Sequence, residues 1–469
     1  METHPPAALA QEIIRLTIQW AADGATDARA MNALVDQALL SNHRHYHDRI
    51  PHYRTVCERA GVGPECSDLA RIAEACLLPD DLFKSYPQRL LDEGDFAGMN
   101  RWLSRICAAP VPEAACAAGN LDEWIETLSR NGLTLVFSSG TSGNVSFVPR
   151  DASTWHSFVR MPFVYLPFLL ADRGVLPLWK AMAMRVLGKR VSPDRFLSLV
   201  MGMGLKDTDG IFLNFSGGNQ GIQLVGQEMG KYVKSAHFLY PRTMSATAVR
   251  SIVRGAKTTS EQALADEFLS TTVLRKEENY ARIISALRRT VQNRRKAIVF
   301  GTPYLLLELC RKVKKACGAI PLKKGSGVIF GGGWKSFDGS RIPEDELIAL
   351  IRETFGVPPE AVSEGYSMTE IQALMVKCVH GRYHVPPYLR TLILDPELRP
   401  VPEAGATGIF AVMDPFAGSY PGFLITGDSV IRSAEPCPCG RSGETILRVE
   451  RSPGREVKGC GGIMAKVNA

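Results

Sequence analysis

The sequence of 469 residues predicts an α/β fold in which helices flank parallel sheets, with a helical N-terminal region and a small C-terminal β subdomain. Two patterns support this prediction. Helix-like segments alternate with short apolar runs between residues 154 and 363, as in βαβ units around a parallel sheet. From Tyr388 onward, short strands follow one another with turns between them. A chain of this length is expected to form two or three packed units.

Four regions follow in chain order. Residues 1–131 are predicted to be mostly helical, because Ala7–Ala21 and Ala28–Ser41 place apolar residues at helical spacing. The α/β core is predicted over 132–387, the small β subdomain over 388–450 and a short C-terminal tail over 451–469. The predicted later helices are Thr154–Leu170, Ala246–Arg254, Ser260–Leu269 and Glu277–Gln292. The predicted strands are Ile211–Phe215, Ala297–Phe300, Gly327–Phe330, Ala361–Ser363, Leu392–Leu394, Gly408–Met413, Gly422–Thr426 and Leu447–Val449.

The composition is that of a globular protein, with 45% hydrophobic residues and a net charge of +7. We expect a cytoplasmic protein, because the N-terminus lacks the basic and apolar segments of a signal peptide. The longest apolar run, Met161–Ala171, is too short to span a bilayer. The eleven cysteines are then expected to be reduced thiols or metal ligands. No interleaving of basic and aromatic residues suggests a nucleic-acid partner.

The stretch Val136–Arg150 is typical of a phosphate-binding loop between two strands. Its centre consists of small hydroxyl residues and glycines, namely Ser138, Ser139, Gly140, Thr141, Ser142 and Gly143. Glycines allow backbone N–H groups to approach phosphate oxygens closely, and the hydroxyls add neutral donors. It is not a Walker loop, since no Gly-Lys-Ser/Thr sequence opens a helix. A flexible turn is the alternative interpretation.

Three further stretches suggest parts of a nucleotide site. Ile329–Lys335 ends an apolar run in three glycines, which leaves room for a flat group to approach the backbone. Glu364–Glu370 supplies an aromatic ring, a hydroxyl and a carboxylate suited to Mg²⁺. Ile425–Asp428 ends in an aspartate, whose two oxygens can accept hydrogen bonds from a ribose diol. Each stretch alone is a weak signal, but their order and spacing are informative.

That order resembles the adenylate-forming superfamily, with its Ser/Thr/Gly loop, glycine-rich strand end, Tyr-x-x-Thr-Glu motif and Thr-Gly-Asp motif. The resemblance covers the chain from about Leu133 to its C-terminus, and Ile50–Ile72 is similar to the phenylacetate–CoA ligase branch. Gly331–Lys335 and Gly454–Cys460 resemble the acyl-protein synthetases, the fatty-acid-activating subunits of bacterial luminescence reductase systems. Such enzymes activate a carboxylate with ATP, release pyrophosphate and pass the acyl group from acyl-AMP to a thiol.

The resemblance implies roles for individual residues of the predicted nucleotide- and acyl-binding core. The hydroxyl-rich loop would hold phosphates, Tyr366 would stack near the adenine and Thr369 would contact the α-phosphate. Glu370 would hold Mg²⁺ and Asp428 the ribose hydroxyls. The family's following arginine would be Arg451 or, failing it, Arg455. The full set of implied ATP-binding residues is Ser138, Ser139, Gly140, Thr141, Ser142, Gly143, Gly331, Gly332, Gly333, Tyr366, Asp428 and Arg451.

The sequence also departs from the superfamily pattern. The lysine that usually ends the phosphate loop is replaced by Ser146, so Arg150 is either a compensating cation or a surface residue. About forty residues follow Asp428, so the superfamily's mobile lid and its catalytic lysine are expected to be absent. The lysines in range are Lys335, Lys458 and Lys466, of which we take Lys335 as the catalytic candidate. A partner subunit is one way of excluding water from the site.

Cys460 is the candidate acyl acceptor. It lies between Gly459 and Gly461, and a thiol on such a segment can reach an acyl-AMP, while the nearby Lys458 favours the thiolate. In the acyl-protein synthetases, a cysteine near the C-terminus carries the acyl thioester. The alternative is an exposed thiol without a function.

Four residues are predicted to hold a structural Zn²⁺ ion: Cys378, His384, Cys437 and Cys439. Three thiolates and one imidazole complete the tetrahedral set that zinc prefers, and some enzymes similar to phenylacetate–CoA ligases place such residues alike. The site would join the β subdomain to the nucleotide site. The alternative is ordinary loop cysteines beside a surface histidine.

The sequence contains two candidate walls for an acyl pocket. The apolar residues Met161, Phe163, Val164, Tyr165, Phe168 and Leu169 either line it or belong to the core, and core is the favoured assignment. His237 is either near the substrate carboxylate or an interior histidine. The residues of a second candidate wall are Phe212, Asn214, Phe215, Ser216, Gly217 and Gly218.

The prediction is therefore an acid–thiol ligase that converts ATP to AMP and pyrophosphate while activating a fatty or other apolar acid. ATP and Mg²⁺ are its expected cofactors. The acceptor would be its own cysteine, a partner protein such as an acyl reductase, a carrier protein or CoA. An aryl- or acyl-CoA ligase is the first alternative, and a non-catalytic nucleotide-binding subunit of a reductase complex is the second.

Overall fold

The computed structural model describes residues 4–139, 145–174, 205–334 and 341–452, together with a few positions between 183 and 199. Within these residues, no helix is both long enough and apolar enough to cross a membrane. The first part of the chain is helical, as the sequence predicts. Its helices are α1 (Ala7–Asp23), α2 (Ala28–Arg49), α3 (Pro51–Arg59), α4 (Leu69–Ala75), α5 (Gln88–Glu93), α6 (Phe96–Ile106) and α7 (Leu121–Arg130).

Local sequence accounts for several of the helix boundaries. The carboxylate of Asp27 accepts a hydrogen bond from the Ala30 N–H and begins α2, as expected for an N-cap aspartate. Pro51 occupies the first turn of α3, where its missing N–H costs no hydrogen bond. The apolar faces of these helices pack into one continuous core with the sheets.

A second group of elements forms the α/β core. A hairpin of β2 (Thr134–Ser139) and β3 (Val145–Arg150) leads into the long helix α8 (Ala152–Asp172). The helices that follow are α9 (Gly221–Gly230), α10 (Ala246–Arg254), α11 (Thr259–Leu269), α12 (Lys276–Gln292), α13 (Pro303–Cys317) and α14 (Glu344–Phe355). The strands between them are β4 (Thr208–Gly217), β5 (Ser235–Thr243), β6 (Lys296–Gly301), β7 (Gly327–Gly331), β8 (Val362–Tyr366) and β9 (Met375–Val376).

These strands form one sheet in the order β5-β4-β6-β7-β8-β9. All neighbours are parallel except β9, which runs antiparallel to β8. The four predicted strands in this region are present and longer than predicted, although Ala361 precedes β8 and is not part of it. The edge strand β5 is missing from the prediction, because its apolar residues are interrupted by His237 and by Pro241 and Arg242.

An antiparallel sheet forms the last part of the described chain. Its strands are β10 (Tyr383–His384), β11 (Arg390–Leu394), β12 (Thr407–Met413), β13 (Phe423–Arg432) and β14 (Thr445–Arg451). Their order is β10-β14-β13-β12-β11. A short strand from the helical region, β1 (Leu78–Pro79), pairs in parallel with β13. The helical region and the β subdomain are therefore joined by main-chain hydrogen bonds.

Candidate functional site

The carboxyl ends of β7 and β8 approach each other closely through glycine. Gly331 pairs with Gly365, and a Cβ atom on Gly331 would lie 2.5 Å from the Gly365 carbonyl oxygen. After β7, Gly332 and Gly333 adopt positive φ angles of 81° and 64°, which glycine tolerates at no steric cost. A side chain at these positions would close or distort this edge of the sheet. Ligands of parallel α/β sheets bind at the carboxyl ends of the strands.

Tyr366, Asp428 and Arg451 come together across the two sheets. The Tyr366 hydroxyl donates a hydrogen bond to Asp428 Oδ2 at 2.8 Å, and Arg451 Nη1 donates to Oδ1 at 2.9 Å. Asp428 on β13 and Arg451 on β14 are also paired in the strand register. Gly427 makes room for this pair, because a Cβ atom there would lie 2.6 Å from the Arg451 guanidinium carbon. Burial, followed by the charge of Asp428, raises the pKa of Tyr366 well above its ordinary value.

Two more carboxylates lie near this group. Asp80 and Glu370 both contribute to the raised pKa of Tyr366, after burial and Asp428, so they lie within electrostatic range of its hydroxyl. The Gly427 N–H donates a hydrogen bond to Asp80 Oδ2 at 3.3 Å. Asp80 follows β1 directly and is 2% exposed. Sequence reasoning missed Asp80, because it lies far from the nucleotide motifs along the chain.

Thr369 and Glu370 lie in the turn after β8, and their backbone is held by buried donors. Arg150 Nη2 donates hydrogen bonds to the Thr369 carbonyl and to the Tyr420 hydroxyl oxygen. The Tyr420 hydroxyl in turn donates to the Glu370 carbonyl at 2.8 Å. The Thr369 and Glu370 side chains are themselves buried, at 8% and 3% exposed. The turn is therefore anchored through its main chain.

Arg150 is fully buried, so the alternative that it is a surface residue is wrong. Its guanidinium carbon lies 3.9 Å from the centroid of the Phe158 ring, in a cation–π contact. Burial lowers the pKa of Arg150, and the nearby Tyr420, Glu370 and Asp414 oppose that shift. Arg150 is the last residue of β3 and contacts the turn after β8, which joins the hairpin to the parallel sheet.

A further layer of hydrogen bonds lies behind this turn. Gln372 N–H donates to Asp414 Oδ2 at 2.7 Å, and Phe416 N–H donates to Oδ1 at 2.9 Å. Burial raises the pKa of Asp414 to about 6, against the opposing effects of these two N–H donors and of Arg150. The Tyr388 hydroxyl donates to the Gln372 carbonyl at 2.7 Å. Residues 369–372 are thus fixed from several sides.

An apolar cavity of about 120 Å³ opens on the other side of Thr369. Its walls are α8, α9, the ends of β7 and β8, and the segment that leads to β9. Representative lining residues are Phe158, Phe163, Leu224, Gly331, Thr369 and Leu374. The six apolar residues considered for the pocket from sequence are all buried, and of these only Phe163 lines this cavity.

The second candidate wall, Phe212–Gly218, does not line the cavity, because its residues belong to β4 beneath α9. His237 lies on the edge strand β5 and is not among the residues that line this cavity. The wall is formed instead by one face of α9, on which Gly221, Leu224 and Val225 are spaced at helical intervals. That spacing is the sequence signal that could have identified it.

Cys378, His384, Cys437 and Cys439 form a compact cluster, in which all four ligand atoms lie within 4.8 Å of one another. The sulfurs of Cys378 and Cys437 are 3.5 Å apart, and Cys439 Sγ lies 3.3 Å from His384 Nε2. Burial lowers the pKa of His384 to about 4, with the charges of Arg441 and Arg382 acting in the same direction. The cluster joins the end of β9 to β10 and to the loop between β13 and β14.

Several predicted site residues lie outside the described residues. These are Gly140, Thr141, Ser142, Gly143, Lys335, Arg455, Lys458, Cys460 and Lys466. On either side of the phosphate loop, Ser138 and Ser139 end β2 and Ser146 lies in β3, with Ser138 paired with Ser146. Ser138 and Ser146 are both buried. The loop residues therefore connect two paired strands, with Arg150 at the end of the second strand.

Known proteins support the resemblance that the motifs indicate. The family model described as acyl-protein synthetase, LuxE, matches residues 257–468. A long-chain-fatty-acid–luciferin-component ligase of Vibrio harveyi is 30% identical over 192 residues, covering 40% of this chain and 50% of that protein. A ligase of the same name from Aliivibrio fischeri is 29% identical over 197 residues, with the same two coverages. The chain spans about half the length of the curated relatives it matches.

Solved structures show the fold. Crystal structures of 2-hydroxyisobutyryl-CoA ligase with 2-HIB-AMP superpose with TM-scores of 0.51, for the postadenylation state, and 0.50, for an open conformation that also contains CoA. Both are 14% identical to this chain. The alignments cover 90% and 89% of this chain and 67% and 73% of those proteins, respectively. The chain thus has the fold of the adenylate-forming ligases, and its residues 257–468 are similar to the acyl-protein synthetase family.

Proposed function

We propose that this protein activates an apolar carboxylic acid with ATP, forms an acyl-AMP and passes the acyl group to a thiol. One observation carries the proposal: the polar group of Tyr366, Asp428 and Arg451 and the apolar cavity lie on the same edge of the parallel sheet, with Thr369 lining the cavity. A reaction between a nucleotide and an apolar acid needs these two environments side by side.

The polar group fits the nucleotide half of the reaction. Asp428 accepts hydrogen bonds through both oxygens, so it can exchange the Tyr366 donor for a ribose hydroxyl while Arg451 keeps its orientation. Transfer at the α-phosphate needs positioning and neutralisation of charge more than covalent help from the protein. Thr369 is suited to such positioning, because its backbone is anchored by Arg150.

Glu370 would hold Mg²⁺. Its carboxylate is almost completely buried and close enough to the Tyr366 hydroxyl to affect its pKa. Mg²⁺ binds through one or two carboxylates together with phosphate oxygens and water. When bound, the cation would neutralise phosphate charge, and Glu370 fits as its protein ligand.

The cavity would hold the acid. The substrate carboxylate would lie at the Thr369 end, where Gly331 and Gly332 leave the backbone open, and the apolar chain would extend between α8 and α9. In the reaction, the carboxylate oxygen attacks the α-phosphorus, the bond to the β-phosphate oxygen breaks and pyrophosphate leaves. A thiolate then attacks the acyl carbon, and AMP leaves with the electrons of the broken acyl–oxygen bond.

Cys460 would be the acceptor thiol, since it lies within the stretch that is similar to the acyl-protein synthetases. To test this, the protein is incubated with ATP, Mg²⁺ and a labelled acid, and the labelled peptide is mapped. We expect the label on Cys460 and its absence from a Cys460→Ser variant. If the variant still carries the label on the same peptide, the acceptor assignment is wrong.

ATP–pyrophosphate exchange across a panel of acids tests the function as a whole. Exchange with fatty acids supports the proposal, whether the final acceptor is Cys460, a carrier protein, a reductase partner or CoA. CoA consumption with aromatic acids would favour the alternative of a CoA ligase, which the structural relatives support through their names. No exchange with any acid would favour a non-catalytic nucleotide-binding subunit and would contradict the proposal.

The cluster of Cys378, His384, Cys437 and Cys439 would bind a structural Zn²⁺ ion. Zinc–sulfur bonds of about 2.3 Å in a tetrahedron would separate the sulfurs by about 3.8 Å, which agrees with the 3.5 Å between Cys378 and Cys437. Four protein ligands leave no open position, as in structural sites. Elemental analysis should find one zinc per chain, and its absence from protein purified without chelator would contradict this assignment.

A further inference from the structure

The helix α9 extends from Thr369 along the whole apolar cavity. Its beginning is fixed at the catalytic edge, because a Cβ atom on Gly221 would lie 2.7 Å from Thr369 Oγ1. The residues that line the cavity are Gly221, Leu224, Val225 and Glu228, which share one helix face. The opposite face packs on β4, where a Cβ atom on Gly226 would lie 2.6 Å from Asn214 Nδ2. The orientation of α9 is therefore determined from both sides.

Glu228 ends this apolar face. Among the described residues that line the cavity, it is the only ionisable one. Its carboxylate is fixed in place, because Lys231 Nζ donates a hydrogen bond at 2.5 Å and the Tyr232 hydroxyl donates one at 3.1 Å. The side chain is 15% exposed. The Tyr232 ring also packs against Phe163 of α8, at 6.4 Å between centroids, so both helices meet at this end.

We infer that Glu228 sets the length of the acyl chain that the cavity accepts. This inference rests on the proposed function. An alkyl chain that extended past Glu228 would exclude water from a carboxylate without supplying a hydrogen bond, which is costly. The carboxylate would also have to leave Lys231 and Tyr232 to make room. An acid whose chain ends before Glu228 avoids both costs.

The length of α9 between Gly221 and Glu228 gives the chain length. Gly221 and Glu228 are seven residues apart, which corresponds to roughly 10 Å along the helix axis. Carbon–carbon bonds of about 1.52 Å at about 111° advance an extended alkyl chain by about 1.25 Å per carbon, so this length holds about eight carbons.

The acid is therefore a medium-chain fatty acid of about eight carbons, by the axial length above. This preference differs from the long-chain acids in the names of the two curated relatives. Because each buried methylene contributes about fourfold in affinity, the preference for length should rise steeply and then stop. Glu228 controls the chain length at which this rise in affinity stops.

The test measures kcat/KM for ATP–pyrophosphate exchange with straight-chain acids from butanoate to hexadecanoate. We expect values that rise by about fourfold per methylene up to about eight carbons and fall beyond about ten. Glu228→Leu should raise the ratio of dodecanoate to octanoate by about tenfold or more. Leu224→Phe, one turn closer to Thr369, should move the optimum to shorter acids.

The control is Glu228→Gln, which keeps the size and polarity of the side chain and should keep the length preference. An equal shift in Glu228→Gln and Glu228→Leu would overturn the inference, because it would indicate a general loosening of α9. An unmodified protein that prefers tetradecanoate or hexadecanoate would also overturn it. Calorimetric measurement of the binding of the same acids without ATP separates the two proposals. If affinity stops rising at about ten carbons and no acid supports ATP–pyrophosphate exchange, the role of Glu228 is supported and the activation of the acid is contradicted.

Discussion

The parallel and antiparallel sheets contribute to the site in different ways. The parallel sheet ends at the site, and the ends of β7 and β8 present the glycines Gly331 and Gly365. The antiparallel sheet presents charged side chains within strands, with Asp428 on β13 paired with Arg451 on β14. The parallel sheet therefore provides an open edge where a ligand can approach the protein backbone closely. The second provides charges whose positions are fixed by the strand ladder.

This difference shows that the site depends on connections between the two sheets. Connections of this kind among the described residues include the Cys/His cluster, the hydrogen bond from Tyr366 to Asp428, and the contacts of Arg150 with Thr369 and Tyr420. A variant that breaks one connection should leave each sheet folded while separating the open edge from the fixed charges. The predictions below disrupt these connections in order of expected effect.

Loss of the Cys/His cluster should have the largest effect. Cys437→Ser would remove a buried ligand and, with it, the bound zinc, and we expect a loss of several kcal/mol in the free energy of unfolding. Thermal unfolding and zinc content measure the two losses together. Cys317→Ser, which removes an exposed thiol outside the cluster, should change neither quantity. Unaltered stability with no zinc in either protein would show that the cluster does not join the sheets through a metal.

Loss of the Asp428 carboxylate should have the second-largest effect. Asp428→Ala would remove the acceptor of two hydrogen bonds, from Tyr366 and Arg451. At about 1.5–3 kcal/mol for each charged hydrogen bond, kcat/KM for ATP should fall by about a hundredfold or more. The neighbouring Ser429→Ala, which loses only a bond to the Gly408 carbonyl, is the matched control. Comparable losses in both variants would argue against a specific role for Asp428.

Loss of the Arg150 guanidinium should have the third-largest effect. Arg150→Met would leave the Thr369 carbonyl and the Tyr420 hydroxyl without their donor, and we expect kcat for exchange to fall by about tenfold. Stability should change little, since an apolar replacement of similar size also removes the cost of burying a charge. Arg150→Lys keeps the charge without the planar pair of donors and should not restore the rate. A change confined to stability would show that Arg150 acts only in folding.

Loss of the Tyr366 hydroxyl should have the smallest effect. Tyr366→Phe keeps the ring and removes one of the two donors to Asp428, while Arg451 remains in place. We expect the KM for ATP to rise by about fivefold, corresponding to about 1 kcal/mol, with kcat nearly unchanged. Tyr388→Phe, which loses a buried hydroxyl bond to Gln372 away from Asp428, serves as a control. A larger effect on kcat would indicate that Tyr366 acts in the chemical step.

The sequence predicted the parts of the site that consist of side-chain motifs. Tyr366, Asp428 and the four Cys/His residues were identified because aromatic, carboxylate and thiol groups at fixed spacing suggest particular ligands. Asp80 and Tyr420 were missed, since they act on the backbone of distant segments and have no characteristic neighbours in sequence. A hydrogen bond to a main-chain carbonyl or N–H does not depend on the side chain of the residue that is contacted, so the sequence carries no pattern that would reveal it.

The fold could be predicted for a similar reason. Helices with apolar residues at regular spacing and strands rich in β-branched residues, such as β6, were recognised from local pattern. The edge strand β5 was not, because its pairing with β4 is determined by tertiary contacts rather than by its own composition. The sequence favoured the core for the apolar residues of α8 and suggested no wall on α9, since periodicity cannot tell which apolar face borders a cavity.

The parallel pairing of β1 with β13 has a consequence for dissecting the molecule. Asp80, directly after β1, accepts the hydrogen bond from Gly427, the residue beside Asp428. An expression fragment limited to residues 257–468 would keep the stretch similar to the acyl-protein synthetases, yet it would lack Asp80 and Arg150. Such a fragment should neither fold into this arrangement nor bind nucleotide, whereas adding residues 1–256 as a separate polypeptide should restore both contacts through reassociation of the two halves.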